Sequence, residues 1–251
     1  MTAQPRSVIV TGGSRGIGAA TCVLAADSGF RVAVNYTANK AAADDVVRRI
    51  ESAGGEAFAI QGDVASEPEI VAMFEAVDKR FGGLDALVNN AGVVDRKARL
   101  DEVDAARLER MFRINTIGTM LCAREAVKRM STRHGGKGGS IVNLSSVAAV
   151  LGGPGEYVDY AAAKGAIDSF TVGLAREVAE EGIRVNAIRP GIVETEIHAS
   201  GGQPNRVEAI RGFVPMKRAG TADEIARAVM WFLSDASSYA TGSILNVSGG
   251  R

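Results

Sequence analysis

Tyr160 and Lys164 stand four residues apart in a segment with helical periodicity, which puts a phenol and an ammonium on one helix face, one turn apart. A free phenol, with a pKa near ~10, is a poor match to neutral pH, and a neighbouring ammonium lowers that value. The pair reads as an acid/base for an oxygen that gains charge during reaction, such as the alkoxide left when a carbonyl takes up a hydride. Tyr157, three residues earlier, has Ala161 where such a lysine would stand, and is expected to line a pocket or to pack. Tyr36 and Lys40 repeat the spacing, but follow a strand-like run instead of sitting within a helix.

A second string suits phosphate. Thr11-Gly12-Gly13-Ser14-Arg15-Gly16-Ile17-Gly18 leaves a strand-like run and enters a helical pattern. Glycines there allow close backbone approach, and the free N–H groups of a new helix point at an anion. The spacing differs from Gly-x-Gly-x-x-Gly, since Gly16-x-Gly18 is followed by Thr21. At the end of the second strand, Asn35-Tyr36-Thr37 lacks the carboxylate that would take ribose hydroxyls and repel a 2′-phosphate. Arg15 and Lys40 are placed to neutralise such a phosphate, so NADP(H) is the preferred cofactor and NAD(H) the alternative. Asp63-Val64, closing the third strand, is expected to meet the adenine edge or to cap the next turn.

These groups need a frame. Short β-branched runs at 7–11, 31–36, 56–61, 86–89, 140–144, 185–188 and 244–247 predict strands. Segments 17–28, 40–53, 68–81, 104–130, 160–181 and 222–233 carry apolar residues near a 3.6 period and predict helices. Continuously apolar strands alternating with helices predict an α/β fold: one doubly wound parallel sheet of about seven strands, helices on both faces. No linker divides residues 1–251, which read as a single domain. Ser66 with Glu69 and Thr221 with Glu224 have capping-box spacing. The weakly patterned segment 194–214, holding Gly201, Gly202 and Pro204, is expected to be a mobile cover over the strand ends. Trp231, Phe232 and Leu233 read as core.

Composition removes other classes. The 251 residues are 46% hydrophobic, and 29 basic side chains balance 29 acidic ones, so neither nucleic acid nor a membrane surface is an expected partner. No apolar run is long enough to cross a bilayer, and a strand-like run from Ser7 leaves no room for a signal peptide; a cytoplasmic protein is expected. Cys22 and Cys122 lie in separate helical segments, which suits buried reduced thiols. With His134 and His198 the sole histidines, no metal site is expected. His134 falls in a glycine-rich loop, whereas His198 lies in the covering segment and is a candidate substrate contact. The basic cluster Lys128, Arg129, Arg133, His134 and Lys137 reads as a solvated helix end.

Five motifs in order give the chain a family resemblance along essentially its whole length. The glycine string at 11–18, Asn89-Asn90-Ala91-Gly92, Asn115, Ser146 with Tyr160 and Lys164, and Pro190-Gly191 followed by Thr195 resemble the short-chain dehydrogenase/reductase family. The resemblance implies that Tyr160 is the general acid/base, that Ser146 orients the carbonyl, that Lys164 also holds the nicotinamide ribose, and that Asn115 supports a water near Lys164. Ser145 is the rival of Ser146, which is preferred for its strand face and its closeness to Tyr160. The spacing from Ser146 to Tyr160 is one residue longer than usual, with the extra length expected to loop out among Gly152, Gly153, Pro154 and Gly155. Along the cofactor the resemblance places Gly12, Ser14, Arg15, Gly16, Ile17, Gly18, Asn35, Tyr36, Asp63, Val64, Asn90, Ala91 and Gly92. It puts Pro190, Gly191, Ile192, Val193 and Thr195 about the nicotinamide, and substrate against Ser146, Tyr157, Tyr160 and His198. A homotetramer is implied as well. The implied reaction interconverts a secondary alcohol and a ketone, on a sugar or another small molecule. The alternatives are a 3-oxoacyl-[acyl-carrier-protein] reductase, which the acidic Glu180-Glu181 after the Tyr160 helix disfavours, and a non-catalytic cofactor-binding regulator.

Overall fold

Seven aliphatic runs pair into one sheet in the computed structural model, which describes residues 5–251. The strands are β1 (Ser7–Val10), β2 (Arg31–Tyr36), β3 (Ala57–Gln61), β4 (Ala86–Asn89), β5 (Gly139–Leu144), β6 (Ile183–Pro190) and β7 (Ile244–Val247). Their order is β3-β2-β1-β4-β5-β6-β7, and every pairing is parallel. The chain winds outward from β1 one way and from β4 the other, so the crevice between them is the switch point at which such sheets bind ligands. Burial on both faces explains the unbroken apolar runs: Val8 and Val10 face one layer and Ile9 the other, each with no exposed surface.

One layer holds α1 (Gly16–Asp27), α2 (Lys40–Ser52) and, late in the chain, a helix at Ala222–Leu233. The opposite layer begins with α3 (Glu67–Phe81). The period over 104–130 predicts one helix; the structure has α4 (Ala105–Phe112), a π-helical turn at Arg113–Ile117, and α5 (Gly118–Met130). The apolar period runs on across the break, which is why the pattern hides it. Asn115 in the wide turn is fully buried and is held by Val93 and Met111. A Cβ on Gly118 would lie 2.5 Å from the Val64 carbonyl oxygen, so the new helix begins where the chains touch. Such π turns gather at functional sites.

Beyond β5 come α6 (Ala148–Leu151), α7 (Val158–Glu177), α8 (Ile197–Ser200), α9 (Arg206–Ile210) and α10 (Ala222–Leu233). Helix α7 starts two residues earlier than expected, and a separate 3-10 turn covers Ala179–Glu181. The stretch from Ser146 to Tyr160 turns on glycine: Gly152, Gly153 and Gly155 all have positive φ. Both cysteines are free and buried. Trp231 departs from expectation at 43% exposed, while Phe232 and Leu233 are buried. Consecutive residues on a helix point about 100° apart, so three in a row cannot all face the core.

The two caps also separate. Ser66 makes no side-chain cap bond; Glu69 instead accepts from the Asp63 N–H at 2.9 Å. At α10 the capping box closes, with Thr221 Oγ1 accepting from the Glu224 N–H at 3.2 Å and the Glu224 carboxylate accepting from the Thr221 N–H at 2.9 Å. Thr221→Ala is expected to lower unfolding free energy by about 1 kcal/mol, read from a urea midpoint shift at unchanged slope.

Candidate active site

The glycine turn follows β1 directly. Gly12 and Gly16 have φ of +61° and +51°, which favour glycine. Gly18 packs closest of the glycines in this turn: a Cβ there would lie 2.3 Å from the Gly12 carbonyl oxygen and 2.6 Å from Asn90 Nδ2. Helix α1 has no side-chain cap at Arg15 and no acidic residue in its first turn, so its leading N–H groups face an uncovered groove. That cradle of backbone donors fits a pyrophosphate.

Two asparagines hold the turn from below. Asn35 was expected to meet the cofactor, but it is 1% exposed and its polar atoms are spent: Oδ1 accepts from the Gly12 N–H at 3.0 Å, and Nδ2 donates to the Gly62 carbonyl at 2.9 Å. It shapes the turn and does not face the groove. Asn90 Nδ2 donates to the Thr11 and Gly12 carbonyls at 2.8 and 3.0 Å, while the Asn90 and Ala91 N–H groups both reach Thr11 Oγ1. Arg15 is exposed, and its Nη1 donates to Ser200 Oγ at 3.1 Å, linking the turn to α8. Lys40 is engaged elsewhere, 2.7 Å from Asp44. Ser14 stays on the turn, partly exposed, and Tyr36 is buried at the end of β2. Asp63 caps its own turn by accepting from the Ala65 N–H at 2.8 Å, and Val64 is buried beside Gly118.

The crevice continues to a pocket that brings together Ile17, Asn90 and Gly92 with Asn115, Ser146, Tyr157, Tyr160 and Lys164. Pro190, Gly191, Ile192, Val193, Thr195 and His198 close its other side. Thr195 packs on Gly16, so the loop after β6 touches the glycine turn. His134 is exposed and outside this pocket. Ser145 and Ser146 face differently. Ser145 is 3% exposed and donates to the Lys164 carbonyl at 3.2 Å, whereas Ser146 Oγ accepts from the Ala148 N–H at 3.1 Å and lines the pocket with Tyr160.

Lys164 lies beneath Tyr160, with Nζ 5.8 Å from the ring centroid, and donates to the Leu144 carbonyl at 2.6 Å. The expected lowering of Tyr160 by that ammonium is not found. Burial pushes the phenol up to about 12, and the Ser146 hydroxyl works against it only in part. Tyr160 therefore stays protonated at neutral pH, in the form that gives a proton away. Burial lowers Lys164 to about 8, with the Asp168 charge opposing. Asp168, one turn beyond Lys164 on α7, is ion-paired with Arg189 of β6 at 2.8 Å. The i, i+4 spacing from Lys164 to Asp168 was there to be noticed in the sequence.

A cluster that the sequence did not suggest forms the outer wall. Glu156, just before Tyr157, is bonded by Lys97 and, at 2.8 Å, by Arg206 of α9. Arg206 lies 4.8 Å from the Tyr157 ring centre and Gln203 donates to the Tyr157 hydroxyl, so segment 194–214 is fastened to the rim of the pocket. Glu156 and Arg206 are 50 residues apart with no shared motif, which left no signal to find them.

Comparison with known proteins follows the same lines. A family model described as "Enoyl-(Acyl carrier protein) reductase" matches residues 12–251. The chain is 54% identical to "Uncharacterized oxidoreductase YgfF" of Escherichia coli (strain K12), over 97% of this chain and 98% of that protein. It is 38% identical to "3beta-hydroxysteroid dehydrogenase 1" of Eggerthella lenta, over 98% and 93% of the two chains. It is 37% identical to "3-oxoacyl-[acyl-carrier-protein] reductase" of Synechocystis sp., over 100% and 98%.

Proposed function

The chain belongs to the short-chain dehydrogenase/reductase family, and from that premise we propose that it interconverts a secondary alcohol and a ketone with NADP(H), Tyr160 acting as the general acid/base. The observation that carries this reading is the convergence of Ser146, Tyr160 and Lys164 in the crevice that the glycine turn opens. When bound, the nicotinamide supplies or accepts the hydride. Gly12, Gly16, Gly18 and the first turn of α1 would hold the pyrophosphate, with Gly92 and the 190–195 loop about the nicotinamide.

In reduction, Ser146 orients the carbonyl oxygen and Tyr160 donates its proton as charge builds there. Lys164, charged below about pH 8, favours the phenolate that remains. Asn115, fixed by Val93 and Met111, stiffens the crevice floor beside Lys164.

The rate of reduction is expected to fall as pH rises past about 8, where Lys164 loses its proton. Asp168→Asn removes the charge that opposes this loss, so the fall moves to lower pH; an unmoved profile would remove Asp168 from the account. Stability has the opposite sign. Folded Lys164 sheds its proton more readily than the unfolded chain, whose value is 10.5, so this group makes stability rise between pH about 8 and 10.5.

A 3-oxoacyl-[acyl-carrier-protein] reductase is the second reading, favoured by the Synechocystis relative. The acidic Glu180 and Glu181 do not weigh against it, because they follow the far end of a 20-residue helix, ~30 Å from Tyr160. The intact Ser146, Tyr160 and Lys164 argue against a regulator without turnover. The family reading also carries a cytoplasmic homotetramer, built through the faces of α5, α7 and β7; a sedimentation mass near the 26.1 kDa monomer would contradict it. Among the described residues no helix is long and apolar enough to cross a membrane.

The first test is a calorimetric titration with NADPH and with NADH. NADPH is expected to bind at least about tenfold tighter, about 1.4 kcal/mol. Tighter NADH would overturn the cofactor preference, and binding of neither would overturn the enzymatic reading.

A further inference from the structure

We propose that the substrate carries a carboxylate, as an oxo acid or the matching hydroxy acid, and that Arg251 receives it in the pocket that holds Ser146 and Tyr160. This inference rests on the ketone-reducing reading and names the substrate class of the same site.

Charge in the pocket is unbalanced. Its lining holds one carboxylate side chain, Glu156, against the cations Lys164, Arg206 and Arg251. One Glu156 oxygen takes Arg206 at 2.8 Å and the other takes Lys97, so Glu156 turns no unmatched negative charge toward an incoming anion. Arg206 spends a further nitrogen on Gln203 Oε1 at 3.2 Å. Lys164 lies under Tyr160, bonded to the Leu144 carbonyl, where it serves the reacting oxygen. His198 is held neutral by burial and by the Arg206 charge. Arg251 is different. It is exposed, and among the described residues its guanidinium has neither an ion pair nor a hydrogen bond; its bonds run through the backbone, to Ser248.

That backbone is held in place. After β7 the chain turns on Gly249 and Gly250, whose φ of +66° and +91° favour glycine. The Gly249 carbonyl accepts from the Met216 N–H at 3.1 Å, and the Gly191 N–H donates to the Val247 carbonyl at 3.0 Å. A Cβ on Gly250 would lie 3.1 Å from Pro215, and one on Gly191 would lie 2.7 Å from Ser248 Cα. The turn is therefore wedged between the 190–195 loop and the residues that follow the covering segment. From there Arg251 lines the same pocket as Ser146 and Tyr160. A guanidinium presents paired, coplanar donors that match the two oxygens of a carboxylate, and one unmatched positive charge suits a single negative one. Val147, Leu151 and Ile197, also in the lining, suit the carbon chain that joins carboxylate to ketone.

The test is steady-state reduction of 3-oxobutanoate, 4-oxopentanoate, 5-oxohexanoate and 6-oxoheptanoate, each beside its methyl ester, with NADPH and, separately, with NADH. At the best-fitting length, kcat/KM for the acid is expected to exceed that for the ester by at least about tenfold, the scale of a charge-assisted pair. In about 0.5 M NaCl the advantage is expected to shrink, because an exposed pair is screened. Arg251→Gln is expected to bring the ratio of acid to ester to about one, and Arg251→Lys to restore part of it, with the NADPH dissociation constant of both variants within about threefold of the parent. Esters that match the acids at every length, or an acid preference that survives in Arg251→Gln, overturn this inference and leave the oxidoreductase reading standing. Loss of NADPH binding in Arg251→Gln also overturns it, by giving the guanidinium to the cofactor. Turnover of none of these compounds with either cofactor overturns both.

Discussion

Tyr160→Phe is expected to lower kcat about 1,000-fold while leaving the dissociation constant for NADPH within about threefold, because a positioned general acid contributes of that order to rate and little to ground-state binding. The substitution is nearly volume-neutral at a partly buried position and removes only the phenol oxygen. Lys164 keeps its bond to the Leu144 carbonyl, so the floor of the site stays in place. Stopped-flow hydride transfer and a parallel titration separate the two quantities. Loss of cofactor binding along with turnover would mean that the ring, not the proton, matters. Retention of turnover within tenfold would move the acid to another group.

Gly18→Ala is expected to weaken NADPH binding at least about 100-fold and to lower unfolding free energy by about 2 kcal/mol, the scale of forced overpacking. The added methyl would sit 2.3 Å from the Gly12 carbonyl oxygen, and neither that oxygen nor the nearby Asn90 amide is free to step aside. Asn90 Nδ2 is itself bonded to the Thr11 and Gly12 carbonyls. Relief therefore requires the turn to open, which spoils the row of N–H donors a pyrophosphate needs. A variant that binds NADPH normally would show that the phosphate lies away from this turn.

Much of this was legible in the residues. Strands buried on both faces announce themselves as unbroken apolar runs, and a doubly wound parallel sheet follows from alternating strands and helices, though not the strand order. The Tyr160–Lys164 spacing and the glycine turn carry their own geometry, so both fell where expected. Other features depend on contacts that no local pattern encodes. Asn35 looked like a cofactor residue because of its place after β2's apolar run, yet pleating turns it inward beneath Gly12. The π turn at Arg113–Ile117 keeps the apolar stripe and changes only the hydrogen-bond ladder. The fall of Tyr160 expected from Lys164 failed for a different reason, since depth of burial is a property of the whole fold.

The strand order also sets a timetable. β1 is joined on one side by β2, about 24 residues on, and on the other by β4, where the Ser7 N–H bonds an Asp85 oxygen 78 residues away. A chain emerging from the ribosome can form β3-β2-β1 first, leaving the inner edge of β1 bare until β4 is synthesised. That bare edge is a strand with unmet donors and acceptors and aliphatic side chains on both faces, a template for mispairing. The seam where the cofactor crevice forms is thus the last internal edge to be sealed on that side. The same junction that gives the fold its binding site is where a nascent chain is most open to aggregation.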